Sequence, residues 1–327
     1  MPVLDKSHFN LPWKCSFLKK YLTMKDLKKV LIALDRSEMD EVLLRYGLFL
    51  AEVLEAESVD LLHVEQEESH ELDLLQELEA SFEADEQFKN EIMHKAYEMN
   101  PDTRLNLSAH LFRGNPFNEI LKFTRTNDID LLVVGKKEEH RGAGIVAHRL
   151  SRKAPCSVIF IPPRPELLMD AILMPTDFSD YSAMAFREAM FFRQKFPGIR
   201  LVALHVYHVP IGYYSTGKSY DEFAEIMKRN AEKEFEKFVK NNKLEKLELE
   251  PILVLGEEHN PAEKIHELAI RENCDLILVG ARGHSMVSSI VLGSTTEKLL
   301  RITKKIPVFV MKRKGETLKL LDILMNI

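Results

Sequence analysis

A glycine-rich stretch in the second half of the sequence has the residue types and the spacing of a phosphate-binding loop. The apolar run DLILVG ends in Gly280, Gly283 follows after two residues, and Gly293 and Ser294 come after nine more. Glycines at the carboxyl end of a parallel strand let backbone N–H groups approach an anion with no Cβ in the way. A helix that begins at Ser294 would direct its free N–H groups to the same place. The stretch therefore predicts an anion site.

Four side chains in this stretch could contact a phosphate. The hydroxyl groups of Ser294 and Thr295 could donate hydrogen bonds to phosphate oxygens, Arg282 could add positive charge, and His284 is a further candidate. The sequence Ser-Thr-Thr-Glu that starts at Ser294 also fits a capping box, in which the serine only satisfies the helix N-terminus. The two roles are compatible, because a capping residue that faces a crevice can also face a ligand.

Four apolar runs occur in both halves of the sequence, in the same order. The matched runs are 28–35 with 170–177, 58–66 with 200–208, 129–136 with 274–281, and 154–162 with 305–312. They are continuous stretches rich in Val, Ile and Leu, which is typical of strands buried on both faces of a parallel sheet. Longer helical patterns separate them, so each half is predicted to form βαβα units with right-handed crossovers. The repeat distance of about 140 residues is far above the solenoid range and indicates a duplicated domain.

The junction between the two halves is marked by Pro162, Pro163 and Pro165, which suit a stiff interdomain linker. The expected organisation is an N-terminal extension at 1–27, a first domain at 28–162, a linker at 163–168, a second domain at 169–312 and a tail at 313–327. The tail is too apolar for a free solvated end. We expect it to pack as a short helix, either on its own body or on another copy in a homodimer.

Composition excludes several classes of protein. Of the 327 residues 45% are hydrophobic and 29% charged, as in ordinary globular proteins. The net charge of −6 argues against a nucleic-acid binder, and no apolar run approaches the roughly 18–20 residues that cross a bilayer. The lysines scattered near the N-terminus do not suit a secretory signal, so we expect a cytoplasmic protein that does not enter a membrane. The three widely spaced cysteines fit neither a disulfide framework nor a zinc cluster, and we expect Cys156 and Cys274 in the core.

The glycine string, the opening run ILMPTDFS at 172–179 and the Leu-His-Val at 204–206 together resemble the universal stress protein family. Gly280, Gly283, Gly293 and Ser294 reproduce that family's ATP-binding signature, Gly-two residues-Gly-nine residues-Gly-Ser/Thr. The resemblance covers 28–162 and 169–312, so nearly all of the chain. It implies two tandem Rossmann-like α/β domains of the adenine nucleotide α-hydrolase-like kind, each an open, mostly parallel five-stranded sheet flanked by helices.

The resemblance also implies how ATP would bind in the second half. Asp177 would lie at the adenosine end, the loop around Pro175 and Thr176 would line that end, and Val206 would contact adenine through its backbone. The glycines, Ser294 and Thr295 would hold the phosphates. Magnesium or manganese could accompany them, although no acidic pair is clearly placed to hold a metal and we assign no metal ligand.

The first half departs from the signature. Glu138 replaces the second glycine, and only six residues separate Gly135 from Gly142, where twelve separate Gly280 from Gly293. Lys136 and Lys137 could in principle compensate by contacting an anion. We expect the first half to be structural instead. Members of the family that the chain resembles usually dimerise through the last strand of each sheet, so the resemblance implies an intramolecular pseudo-dimer that pairs 157–161 with 308–311.

The sequence indicates a nucleotide-responsive regulatory binding protein. Two alternatives remain open: a scaffold that has lost nucleotide binding, and an enzyme, such as a slow ATP hydrolase. No Walker-type motif occurs, and Asp177 has no obvious nucleophile beside it, so we assign no catalytic residue. His205 and His208 are interpreted as ordinary strand-end residues, because no second element offers matching metal ligands.

Overall fold

Each half of the chain contributes five strands and four helices to a computed structural model that describes residues 27–66, 74–136, 145–256, 260–283 and 292–314. The first half contains β1 (Lys29–Leu34), α1 (Met39–Val53), β2 (Ser58–Glu65), α2 (Leu74–Met99), β3 (Asn106–Arg113), α3 (Pro116–Thr126), β4 (Leu131–Gly135), α4 (Ile145–Lys153) and β5 (Ser157–Ile161). The second half contains β6 (Ala171–Pro175), α5 (Asp180–Lys195), β7 (Arg200–Tyr207), α6 (Tyr220–Asn242), β8 (Pro251–Leu255), α7 (Pro261–Arg271), β9 (Leu276–Gly280), α8 (Ser294–Ile302) and β10 (Val308–Met311).

The strands form one continuous sheet in the order β3-β2-β1-β4-β5-β10-β9-β6-β7-β8. Every pair within a half is parallel. The pair that joins the halves, β5 with β10, is antiparallel, with Val308 opposite Phe160 and Val310 opposite Val158. These are the two segments that the sequence analysis paired. The carboxyl ends of the two sets of strands consequently lie along opposite edges of the sheet, where an edge is the border at which the strands end and not an outermost strand.

Helices cover both faces of the sheet, as the continuous apolar strands predict. One core lies under α1, α2, α5 and α6, and the other lies under α3, α4, α7 and α8. Each core contains residues of both halves, so burial is continuous across the β5–β10 seam. Cys156 and Cys274 are buried free thiols, as predicted. Among the described residues, no helix has the length and hydropathy to cross a membrane.

Two lysines, one from each half, hold a helix end of the other half. Lys312 Nζ donates to the carbonyl oxygen of Ala154, just after α4, at 2.9 Å. Lys136 Nζ donates to the carbonyl oxygens of Arg301, at 3.3 Å, and Thr303, at the end of α8. Carbonyls at a helix C-terminus carry partial negative charge, which favours a nearby cation. Lys136 therefore does not contact an anion in the first half, which the sequence had left possible in principle, because its ammonium group binds the end of α8.

Lys312 is only 9% exposed. Burial disfavours its charged form and lowers its pKa from 10.5 to about 8. A group whose folded pKa lies below its unfolded pKa binds more protons when unfolded, so stability rises with pH between the two values. Below pH 8 the charged Lys312 therefore lowers the free energy of unfolding, and this loss of stability disappears as the pH rises from 8 to 10.5.

We predict that Lys312→Met removes this pH dependence. The free energy of unfolding of the wild type should gain roughly 2 to 3 kcal/mol more than that of the variant between pH 8 and 10.5. Urea titrations at closely spaced pH values measure the difference directly. Stability curves that run parallel for the two proteins would contradict a buried, charge-destabilised lysine.

Candidate functional site

The end of β6 is fixed to β7 by two hydrogen bonds at Thr176. Its backbone N–H donates to the carbonyl oxygen of Leu204 at 2.8 Å, and its carbonyl oxygen accepts from Nδ1 of His205, also at 2.8 Å. The imidazole stacks on the ring of Phe178, with 4.3 Å between ring centroids, and burial lowers the His205 pKa. His205 thus shapes the edge of the site as a neutral residue, in line with its interpretation as a strand-end histidine.

Asp177 follows directly, and its carboxylate is oriented by the first turn of α5. Oδ1 accepts from the Ser182 hydroxyl at 2.6 Å and from the Ser179 backbone N–H at 3.1 Å. Ser179 is also the N-cap of α5, because its side chain accepts from the Ser182 N–H. These contacts hold the carboxylate in one orientation beyond the carboxyl end of β6.

Val206 presents its backbone to the space beyond β6. Alternate residues of a strand direct their N–H and C=O groups to the same side. The carbonyl oxygen of Leu204 faces β6, where it accepts from Thr176, whereas that of Tyr207 faces β8, where it accepts from Gly256 at 2.8 Å. Val206 therefore faces the β6 side, but β6 has already ended at Pro175. A ligand in this gap could form hydrogen bonds with the backbone N–H and C=O of Val206.

Two glycines of the loop allow close approach to α5 and to Asp177. A Cβ on Gly280 would lie 2.8 Å from backbone atoms of Tyr181, and a Cβ on Gly283 would overlap Oδ2 of Asp177. Any side chain at either position would push the loop away from the helix. The glycines therefore bring the predicted phosphate loop against the predicted adenosine end, so both parts of the candidate site lie at one edge of the sheet.

The N-terminus of α8 lies beside this loop, and no side chain in the described part of the chain caps it. Gly293 is the N-cap residue, and its N–H donates to the carbonyl oxygen of Ala281 at 2.8 Å. The capping box that starts at Ser294 is therefore wrong, because Ser294 is already the first helical residue. Thr296 Oγ1 donates to the carbonyl oxygen of Gly280 at 3.0 Å and anchors the helix to β9. The first N–H groups of a helix have no intrahelical acceptor, so this turn offers donors to a ligand.

Arg282 lies over the ring of Tyr181, with its guanidinium carbon 5.2 Å from the ring centroid. Arg313, which follows β10, lies over the same ring at 4.8 Å. The sequence analysis missed both Tyr181 and Arg313. The available signal was the run Lys-Arg-Lys directly after the last apolar run, which adds charge to the edge that carries the glycines. His284 lies outside the described residues.

Comparison with known proteins decides the family. The model of the universal stress protein family matches residues 26–162 and again 169–312. This chain belongs to the universal stress protein family. Universal stress protein MJ0577 of Methanocaldococcus jannaschii is 30% identical over 159 residues, which are 44% of this chain and 95% of that protein.

Two solved structures are similar over both halves of this universal stress protein. A universal stress protein from Archaeoglobus fulgidus is 21% identical, with a TM-score of 0.61 over 90% of this chain and 99% of its own. Protein PA1789 of Pseudomonas aeruginosa is 13% identical, with a TM-score of 0.66 over 93% and 99%. At these identities the likeness is one of fold: two tandem universal stress protein domains built on mostly parallel sheet.

The corresponding edge of the first domain carries a different set of contacts. Asp40 stands where the second domain has Ser182, five residues after the strand-end aspartate. Its carboxylate accepts from the backbone N–H groups of Asp35 and Arg36, each at 2.9 Å. Burial raises the pKa of Asp40, and the nearby charge of Asp35 adds to the shift. A second carboxylate thus occupies this edge, which the sequence analysis did not identify; Lys137, Glu138 and Gly142 lie outside the described residues.

In the part of the chain that the structure describes, His, Cys, Asp and Glu side chains form no group of three or more that could hold a metal ion. A divalent ion at the second-domain edge would have to obtain most of its ligands from phosphate oxygens and water, as Mg²⁺ commonly does.

Equivalent glycines in the two domains give a matched test of this packing. A Cβ on Gly280 would meet Tyr181 backbone at 2.8 Å, whereas a Cβ on Gly135 would meet the flexible Met39 side chain at 3.1 Å. We predict that Gly280→Ala lowers the free energy of unfolding by roughly 1 to 3 kcal/mol and Gly135→Ala by less than about 1. Thermal or urea unfolding of both variants measures this. Equal losses would show that β9 and α5 do not meet as closely as described.

Proposed function

We propose that the second domain binds an adenine nucleotide, with ATP as the ligand, and that the protein acts as a nucleotide-responsive regulatory binding protein. The residues that would form the site are Pro175, Thr176, Asp177, Val206, Gly280, Arg282, Gly283, His284, Gly293, Ser294 and Thr295. The observation that carries the proposal is the uncapped first turn of α8, which lies beside Gly283 where that glycine contacts Asp177.

The proposed phosphate end contains hydrogen-bond donors and positive charge. The first N–H groups of α8 and the dipole of that helix attract an anion, and the hydroxyls of Ser294 and Thr295 stand at the same turn. Arg282 adds a guanidinium group, which suits phosphate oxygens. Magnesium or manganese would arrive with the phosphates, since the described residues offer no metal-binding cluster of their own.

The proposed adenosine end consists of backbone groups and a carboxylate. Val206 would supply an N–H and a C=O to the edge of the base, in the gap that β6 leaves. Asp177, oriented by Ser179 and Ser182, could accept hydrogen bonds from ribose hydroxyls through Oδ2. The loop at Pro175 and Thr176 would line the same space.

The first domain would not bind a nucleotide. Asp40 adds negative charge to the equivalent edge, and Lys136 is engaged at the end of α8. We infer that this domain acts as the internal partner of the second, so that the chain forms a pseudo-symmetric dimer through β5 and β10. Family membership supports the duplicated arrangement, because both halves match the same family model.

Helix α8 offers a route by which nucleotide could be sensed. Its N-terminus faces the proposed phosphates, and its C-terminal carbonyls accept from Lys136 of the first domain. Its Glu297 contacts Nε2 of His148 on α4 at 3.1 Å. A ligand that shifts or orders α8 would therefore act directly on the first domain.

The decisive experiment uses Ser294→Glu. A carboxylate at the first turn of a helix stabilises the helix by about 0.3 to 1 kcal/mol, but it would repel phosphate at the same place. We predict that the variant has lost its nucleotide, and that it is at least as stable as wild type from which the nucleotide has been removed, since bound ligand stabilises the folded state. Protein purified without added ligand should be denatured and its released nucleotides counted by chromatography.

Ser294→Gln is the matched control, since it has the same size without the charge. About one adenine nucleotide per chain is expected in the wild type, a reduced content in the control, which loses the serine hydroxyl but adds no charge, and none in Ser294→Glu. Two nucleotides per chain, or retention by a well-folded Ser294→Glu, would refute the one-site proposal. A wild type that is empty and also fails to bind added ATP would favour the scaffold alternative.

A further inference from the structure

A second cleft, of about 1180 Å³, opens at the edge of the sheet opposite the proposed nucleotide site. Its lining comes from both domains and from the linker between them. The lining includes Met39 at the start of α1, Arg164 in the linker, Asn273 and Asp275 between α7 and β9, and Lys304 and Lys305 before β10. The volume is large enough for a small organic ligand.

Because the domain is duplicated, the opposite edge of the sheet provides an internal comparison for this cleft. Asp130 precedes β4 as Asp275 precedes β9, and Oδ2 of each accepts two backbone N–H groups at the start of the neighbouring strand. The residues before them match as well, since Asp128 and Asn273 both have positive φ, at 54° and 48°. The two corners are therefore the same local structure.

One corner is filled by an ammonium group and the other is not. Lys314 Nζ donates to Asp130 Oδ1 and to the carbonyl oxygen of Asp128, the latter at 2.9 Å. The residue three positions after the strand in the first domain is Arg164, which forms no ion pair with Asp275 in the described part of the chain. Oδ1 of Asp275 has no hydrogen-bond partner among the described residues. The cleft thus contains a lysine-binding corner without its lysine.

The rest of the cleft contains cations and an apolar wall, beside two further carboxylates, Glu38 and Glu166. Lys304 and Lys305 are exposed, form no ion pair with any described residue, and replace Ala154 and Pro155 of the other edge. Met39, Val42 and Ile306 supply apolar surface beside them. A ligand that matches all three features has an ammonium group, a carboxylate and an apolar body.

We propose that this cleft binds a small zwitterionic amine, namely an amino acid or a short peptide with an apolar side chain. The ammonium group would occupy the position that Lys314 Nζ takes at the other edge, on Asp275 Oδ1 and the carbonyl oxygen of Asn273. The carboxylate would pair with Lys304 or Lys305, and the side chain would lie on Met39 and Ile306. The tandem chain would then carry one ligand site at each edge of its sheet, with different chemistry.

Binding to the full-length protein can be measured by calorimetry with three probes. Norleucine carries both charged groups, pentylamine lacks the carboxylate, and hexanoate lacks the amine. Norleucine should bind, and each of the other two should bind at least about tenfold more weakly, since each forfeits one charge-assisted contact. No binding of norleucine, or equal binding of all three probes, would overturn the proposal.

Variants locate the site. Asp275→Asn should weaken norleucine binding at least about tenfold, because an amide cannot form the ion pair. Its matched control is Asp130→Asn, which disturbs the same backbone contacts on the other edge and should bind norleucine normally. In the filled corner Lys314 also pairs with the Asp128 carboxylate, at 2.9 Å. The double variant Arg164→Lys with Asn273→Asp rebuilds this corner at the cleft and should lose norleucine binding although Asp275 itself is unchanged. Norleucine binding that survives in Asp275→Asn or in the double variant would refute the assignment.

Discussion

The antiparallel pairing of β5 with β10 is the contact on which the rest of the arrangement depends. A parallel five-stranded sheet ends in an edge strand with unpaired N–H and C=O groups, which invites association. Here the two edge strands, β5 and β10, pair with each other within one chain, at three positions from Val308 to Val310. Because the pairing is antiparallel, the two domains direct the carboxyl ends of their strands to opposite edges. Ligand sites of such sheets lie beyond those ends. The two candidate sites are therefore separated by the length of the strands.

Duplication followed by substitution explains why the two edges differ. At the position five residues after the strand-end aspartate, Ser182 donates to a carboxylate in one domain, whereas Asp40 brings a second carboxylate in the other. After the strand-end glycine, the carbonyl oxygen of Ala281 accepts from the Gly293 N–H in one domain, whereas Lys136 reaches the end of α8 in the other. The same backbone would therefore support the proposed anion site in one copy, whereas in the other it carries a lysine that holds the second domain's helix.

The sequence predicts those parts of the fold that depend on local patterns. Continuous apolar runs specify strands such as β9 and β10 because every position is buried, and the spacing of Gly280, Gly283 and Gly293 is visible without a structure. Contacts that depend on the three-dimensional approach of distant segments could not be predicted. Tyr181 beside Arg313 is one example, and the empty counterpart of the Lys314 corner is another. Ser294 shows a subtler limit: its pattern fits a capping box, but the bond from Gly293 N–H to Ala281 starts the helix one residue earlier.

The contact between Lys136 and α8 also limits how strongly nucleotide binding could be felt in the first domain. A ligand can shift an equilibrium only by the difference in its affinity for the two states. If breaking the Lys136 contact distinguishes those states, a charge-assisted hydrogen bond of about 1.5 to 3 kcal/mol sets the scale of the coupling. That corresponds to roughly tenfold to a hundredfold, within the usual range for allosteric coupling. Since coupling is reciprocal, a partner whose affinity for the first domain changes when nucleotide binds would change nucleotide affinity by the same factor. Under the proposed function, the first domain could therefore regulate nucleotide binding without binding a nucleotide itself.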